Sequence, residues 1–86
     1  MDFVFTETFY SIYETLTQDE VAPVDEAIKR ILLEHSTAWA RQGRIEGEKG
    51  SAWTVVARTG SHETSIYWDY YDEDHIVLVA LVVKPA

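Results

Sequence analysis

Few residues in this 86-residue sequence could support acid–base or nucleophilic chemistry, and their spacing limits what that chemistry can be. The histidines form no HxH or HExxH pattern, and the chain contains no cysteine. We therefore expect no metal site, no thiol catalysis and no disulfide. The glycines form neither a GxGxxG motif nor a P-loop, so we also expect no cofactor. The histidines are His35, His62 and His75.

Six of the seven basic residues divide into two groups, and the seventh, Arg41, lies at the end of a predicted helix, before a glycine-rich stretch. Lys29 and Arg30 each follow an acidic residue by four positions on a predicted helix, a pattern typical of solvated ion pairs. The residues of the second group flank a glycine-rich stretch or lie at the end of a strand. If that stretch folds over the sheet edge, they form one basic patch. The alternative is that they are scattered solubilising charges. This second group contains Arg44, Lys49, Arg58 and Lys84.

The densest aromatic stretch runs from Tyr67 to Tyr71. Strand alternation places Trp68 and Tyr70 on one face of a sheet and Tyr67 and Tyr71 on the other. Core packing accounts for the first pair. The second pair is predicted to be exposed, and exposed aromatic rings are typical of binding sites and can stack on nucleic-acid bases.

Composition limits the classes of function. The net charge of −8 disfavours nucleic-acid binding, which depends on cations against phosphates, and it favours a basic protein partner. The longest apolar run, Ile76–Val83, is too short to cross a bilayer, and no basic signal-like segment opens the chain. We expect one domain over residues 1–86, soluble, cytoplasmic and without membrane contact.

Two helices are predicted after a short strand at Phe3–Phe5. Apolar spacing predicts helices over 7–16 and 23–41, joined as an antiparallel hairpin and stopped by Gly43. Thr17 to Glu20 resembles a capping box, but a helix starting there would place Pro23 in its interior. We therefore expect the second helix to start at Pro23.

Three strands follow, over 52–59, 63–71 and 75–84. The predicted fold is α+β: a strand, a helical hairpin, then a three-stranded antiparallel sheet with the helices on one face. The last strand is apolar at almost every position, so both sheet faces must be covered there. We expect a partner chain or a second copy to cover the face without helices, with Val79 among the contacts.

The order of elements resembles the RelE/ParE toxin superfamily, including its HigB-like and phage relatives. The resemblance spans the chain and rests on four features. These are the glycine-rich connection Gly43–Gly50, a strand opening with Trp53, a Tyr67-containing strand with its acidic turn to Asp74, and the apolar strand ending at Lys84.

This resemblance implies a toxin of a toxin–antitoxin system, held inactive by an antitoxin, with mRNA cleavage as one activity. In that activity Arg58, His62 and Lys84 would stabilise the scissile phosphate, and His62 or Tyr67 would move the proton. The candidate binding residues are Arg44, Lys49, Tyr67, Tyr71 and Val79.

Two features favour a non-catalytic alternative. The family's usual arginines are missing between Thr54 and Ala57 and before Tyr67, and the net charge is −8. The alternative is an acidic interaction protein, a degenerate toxin fold or a phage or immunity-type module, that binds a basic protein partner. A homodimer formed through the last strand is a third reading, so the sequence does not decide whether the chain is an enzyme.

Overall fold

The computed structural model describes residues 1–48 and 50–85. One sheet carries two helices and a short 3-10 turn at Trp39–Arg41. The helices are α1 (Glu7–Tyr13) and α2 (Gln18–Glu34). The strands are β1 (Asp2–Phe5), β2 (Gly43–Gly47), β3 (Gly50–Arg58), β4 (His62–Tyr70) and β5 (His75–Pro85).

The predicted α+β class is confirmed, but the sheet is larger than the three antiparallel strands predicted. Its order is β1-β5-β4-β3-β2, with β1 parallel to β5 and the other neighbours antiparallel. The extra strand β2 comes from the stretch predicted to be a connection. There Arg44 pairs with Trp53 and Ile45 with Ala52, and Gly50, at φ 130°, allows the chain to reverse.

The predicted start of the second helix is wrong. Helix α2 begins at Gln18 with the Thr17–Glu20 capping box formed, and Pro23 lies inside it. Pro23 removes one hydrogen bond from the helix and its ring crowds the carbonyl four residues earlier, and the cap together with the buried face of α2 offsets this cost. The helix also ends at Glu34 instead of residue 41, because Thr37 donates both its N–H and its hydroxyl to the Glu34 carbonyl.

The core lies between the helices and one sheet face. The predicted α2 stripe is buried at Val24, Ala27, Ile28 and Ile31. Trp68 of β4 is fully buried, and its indole N–H donates to the Ala40 carbonyl at 2.7 Å. The strand side of the core consists of Val55, Ala57, Ile66, Ile76, Leu78 and Leu81.

Strand β5 contains a bulge that changes which side chains share a face. Tyr67 pairs with Ala80 and Trp68 with Leu78, so Val79 is the extra residue. Trp68 and Leu78 face the helices, so Ala80 faces away from them, and Val79 lines a groove on that second face together with Val77. Regular alternation would turn one of Val79 and Ala80 toward the helices, but the bulge places both on the second face.

Over residues 1–48 and 50–85, neither helix combines the length and apolar character needed to cross a membrane.

Candidate functional site

A cluster of cationic and aromatic side chains lies on the helix side of the sheet, where α2, the 3-10 turn and strands β2 to β4 meet. We call it the cationic–aromatic cluster. Its members are His35, Arg41, Arg44, Trp53 and Tyr70.

Arg41 holds the cluster together. Its Nε donates to the His35 carbonyl at 3.1 Å and its Nη2 donates to the Tyr70 hydroxyl at 2.9 Å. Its guanidinium carbon lies 4.5 Å from the centre of the Trp53 ring. Among the described residues Arg41 forms no ion pair with a carboxylate, so its remaining N–H groups can receive an anion.

A second guanidinium, that of Arg44, packs on the Trp53 ring. The Arg44 guanidinium carbon is 4.7 Å from the same ring centre, and Arg44 also donates to the Ser51 hydroxyl at 2.6 Å. Glu46 lies 3.6 Å from its Nε and neutralises part of its charge. Arg41 is therefore the stronger anion contact of the two arginines.

His35 and Tyr70 form a titratable pair beside Arg41. The His35 Nδ1 is 2.9 Å from the Tyr70 hydroxyl, and the two rings meet edge to face. When the Nδ1–H donates to the Tyr70 oxygen, whose own hydrogen can go to the His35 carbonyl at 3.4 Å, Nε2 is unprotonated and can accept a proton from a ligand. The arrangement can bind an anion at Arg41 and move a proton at His35.

Of the cluster's residues, only Arg44 was predicted from the sequence to be a binding residue. His35 falls inside the predicted helix over 23–41, but in the structure it is the residue that caps the C-terminal end of α2. Tyr70 was predicted in the core, yet it is 37% exposed because it lies at the open end of β4. The pairing of Trp53 with Trp68 across β3 and β4 places Tyr70 within 5.6 Å of Trp53, a proximity without a local sequence signal.

The predicted catalytic residues are divided between the two faces of the sheet. In register, Arg58 and Lys84 both lie beside Glu63 on the face without helices, and Arg58 pairs with Glu63 at 3.4 Å. His62 belongs to the helix side, where its Nδ1 lies 3.8 Å from Glu20. The structure therefore brings Arg58 and Lys84 together and separates both from His62.

The other predicted binding residues do not form one patch. Tyr67 lies mid-strand on the face without helices, half-buried, and Tyr71 is exposed just after β4. Val79 lies in the groove on the face without helices. Arg44 lies in the cationic–aromatic cluster, away from Arg58 and Lys84. Lys49 lies outside the described residues.

An apolar pocket of about 280 Å³ opens between the helices and β1. Phe3, Phe5 and Tyr10 are all exposed at its rim, and Phe5 stacks on Tyr10 at 5.6 Å. Deeper in, Tyr13 donates to Asp25 at 2.7 Å, and this hydrogen bond raises the pKa of the Tyr13 hydroxyl. Exposed aromatic rings around a pocket are typical of a protein-binding surface.

Another charged pair lies in the turn between β4 and β5. His75 Nδ1 is 2.8 Å from Asp72 Oδ1; this contact raises the pKa of His75 and lowers the pKa of Asp72. Across residues 1–48 and 50–85, no three histidine, aspartate or glutamate side chains converge on a position that could hold a metal ion.

No family model, curated protein or solved structure matches this chain.

Proposed function

We propose that the chain is a RelE/ParE-like toxin-family domain whose target is single-stranded RNA and which a partner protein holds inactive. The carrying observation is the cationic–aromatic cluster, where Arg41 has no carboxylate partner among the described residues and lies beside His35, Trp53 and Tyr70. Phosphate prefers the planar donor fork of arginine, and a ring beside it supplies stacking surface for a base.

The proposed reaction uses general acid–base chemistry at the RNA backbone. The His35 imidazole takes the proton of a ribose 2′-hydroxyl, the oxygen attacks the adjacent phosphorus, and the bond to the 5′ oxygen breaks. The departing 5′ oxygen takes a proton from water, and a cyclic phosphate remains. Arg41 stabilises the negative charge on the phosphoryl oxygens in the transition state.

The partner surface fits the same proposal. The aromatic rim of Phe3, Phe5 and Tyr10 is large, apolar and exposed, and it lies on the helix side together with the cluster. An antitoxin segment seated there would bury these rings, which is the usual source of binding energy at such contacts.

A second candidate function is the acidic interaction protein that binds a basic protein partner. The separation of His62 from Arg58 and Lys84, together with the net charge of −8, favours it. In this alternative the cluster stiffens the end of β4 and cleaves nothing.

Induced expression and an RNA cleavage assay discriminate between the two. We expect the wild-type chain to slow growth and to cut single-stranded RNA, and Arg41→Ala and His35→Ala each to abolish both effects. The matched control is Arg30→Ala, since Arg30 also lies over a tryptophan ring, at 4.1 Å, but its charge is paired with Glu34.

Two further variants test the residues that the resemblance implies. Arg58→Ala and Lys84→Ala should leave RNA cleavage intact if Arg41 contacts the phosphate. A wild-type chain that neither slows growth nor cleaves RNA, while it captures a basic protein, would contradict the toxin proposal and support the second candidate.

A further inference from the structure

The sheet face turned away from the helices carries an apolar strip that no described element of the chain covers. We call it the open face. Its apolar side chains come from β3, β4 and β5, and Val82 is the most exposed of those on β5, at 38%. The strip consists of Val56, Tyr67, Val77, Val79, Ala80 and Val82.

The bulge at Val79 enlarges this strip. Regular alternation would place only every second residue of β5 on the open face. The extra residue places Val77, Val79 and Ala80 there together. A groove of about 540 Å³ results, with Val77, Val79 and Ala52 among its lining residues and Ile45 of β2 at its edge.

The two ends of the open face carry opposite charge. At one end Arg58 and Lys84 flank Glu63, so this end has a net positive charge. At the other end Asp69 lines the groove together with Glu48. Within the described part of the chain, Asp69 has no ion-pair partner.

We propose that the open face binds a second copy of this chain, as a two-fold symmetric dimer with the two sheets face to face. The two-fold axis passes near Tyr67 and Ala80, which lie at the middle of the strip. It turns the positive end of each copy onto the negative end of the other, so that Lys84 meets Asp69 twice. The exposed Val82 of each copy then enters the groove of the other.

This arrangement uses only groups that the chain itself supplies. Each copy contributes a projecting Val82 and a groove to receive it. Each also carries positive charge at one end of the open face and negative charge at the other. Lys84 lies four residues from Ala80 and Asp69 two residues from Tyr67, and the extended Lys84 side chain spans this difference. The cationic–aromatic cluster lies on the opposite side of the sheet and stays exposed in the dimer. The proposal is therefore independent of the RNA function.

Sedimentation equilibrium of the full chain tests the dimer. We expect a concentration-dependent dimer that Val82→Asp weakens about tenfold or more, because the buried carboxylate would have no partner. Leu33→Asp is the control: Leu33 is 85% exposed on the helix side, and the same charge there should leave the dimer unchanged. Added salt should strengthen the wild-type dimer, since two copies of charge −8 repel each other.

A charge exchange tests the orientation. Lys84→Glu and Asp69→Lys should each weaken the dimer about threefold, and the double variant should restore it, because each copy would then present the reversed pair. Circular dichroism of each variant checks that it is folded. A wild-type chain that stays monomeric at millimolar concentration, or a double variant no tighter than the two single variants, would overturn the proposal.

Discussion

Arg41 donates a hydrogen bond to the Tyr70 hydroxyl at 2.9 Å across a separation of 29 residues, and this contact joins the 3-10 turn to the end of β4. The turn itself is held by the Trp68 indole, whose N–H reaches the Ala40 carbonyl beside Arg41. The buried side of β4 thus positions the exposed cation. The cationic–aromatic cluster is assembled by the core before any ligand arrives.

Trp68→Phe tests this link between core and cluster. The change leaves the buried Ala40 carbonyl without its hydrogen-bond donor and removes part of a fully buried side chain. We therefore expect the unfolding free energy to fall by at least about 2 kcal/mol. Urea denaturation measures the loss. Trp39→Phe is the control, because Trp39 is only half-buried and should cost clearly less. Equal losses in the two variants would contradict the role given to the indole N–H.

The pair of Asp72 and His75 predicts a pH dependence. The contact raises the pKa of His75 above its ordinary value of 6.5 and lowers the pKa of Asp72 below 3.8. The stabilisation from His75 is complete below 6.5 and is lost as pH rises through the folded-state pKa. The stabilisation from Asp72 is present above 3.8 and is lost as pH falls through its own folded-state pKa.

An NMR titration of the imidazole resonances checks this pair. Wild-type His75 should titrate above 6.5, and Asp72→Asn should return its pKa toward that value. Glu73→Gln removes a charge from the same turn without touching the hydrogen bond and should shift the His75 pKa less. An unchanged His75 pKa in Asp72→Asn would show that the contact is absent in solution.

The capping box of α2 gives a third prediction. Thr17 caps the helix, and its N–H donates to Glu20 Oε1 at 2.9 Å, which holds the pKa of Glu20 below its ordinary value of 4.5. Thr17→Ala keeps this backbone contact but removes the hydroxyl that accepts from the Glu20 N–H in the capping box, so it should lower the unfolding free energy by about 1 kcal/mol, and thermal denaturation measures it. Thr8→Ala, an exposed site in the first turn of α1, should change it by less than about 0.5 kcal/mol. Similar losses of unfolding free energy at both sites would contradict a helix start at Gln18 and favour a start at Pro23.

Local patterns in the sequence were sufficient for most of the fold. The α2 stripe from Val24 to Ile31 and the alternation along β4 each place one face in the core. The α2 stripe and Trp68 are buried as predicted, whereas Tyr70 at the end of β4 is exposed. The start of α2 was predicted wrongly because the prediction considered only the cost of a proline inside a helix. The Thr17–Glu20 cap and the packing of Val24 against the sheet together outweigh the lost hydrogen bond and the crowding that Pro23 causes.

The parts that the sequence did not predict depend on contacts between distant segments. Strand β2 is short, glycine-bounded and charged, and it becomes a strand only because Trp53 and Ala52 of β3 pair with it. The His35–Tyr70 contact spans 35 residues and depends on where α2 ends. Neither segment carries a local pattern that indicates its partner.

An NMR titration of the folded chain with a short single-stranded oligoribonucleotide tests most directly whether the cationic–aromatic cluster binds RNA. We expect the side-chain resonances of His35, Arg41 and Trp53 to shift saturably, and Arg41→Ala to weaken binding about tenfold or more, since it removes a charged hydrogen-bond donor to phosphate. Arg30→Ala should bind as the wild type does. Resonances that do not move, or shifts confined to Arg58 and Lys84 on the open face, would contradict the assignment of the RNA site to the cationic–aromatic cluster.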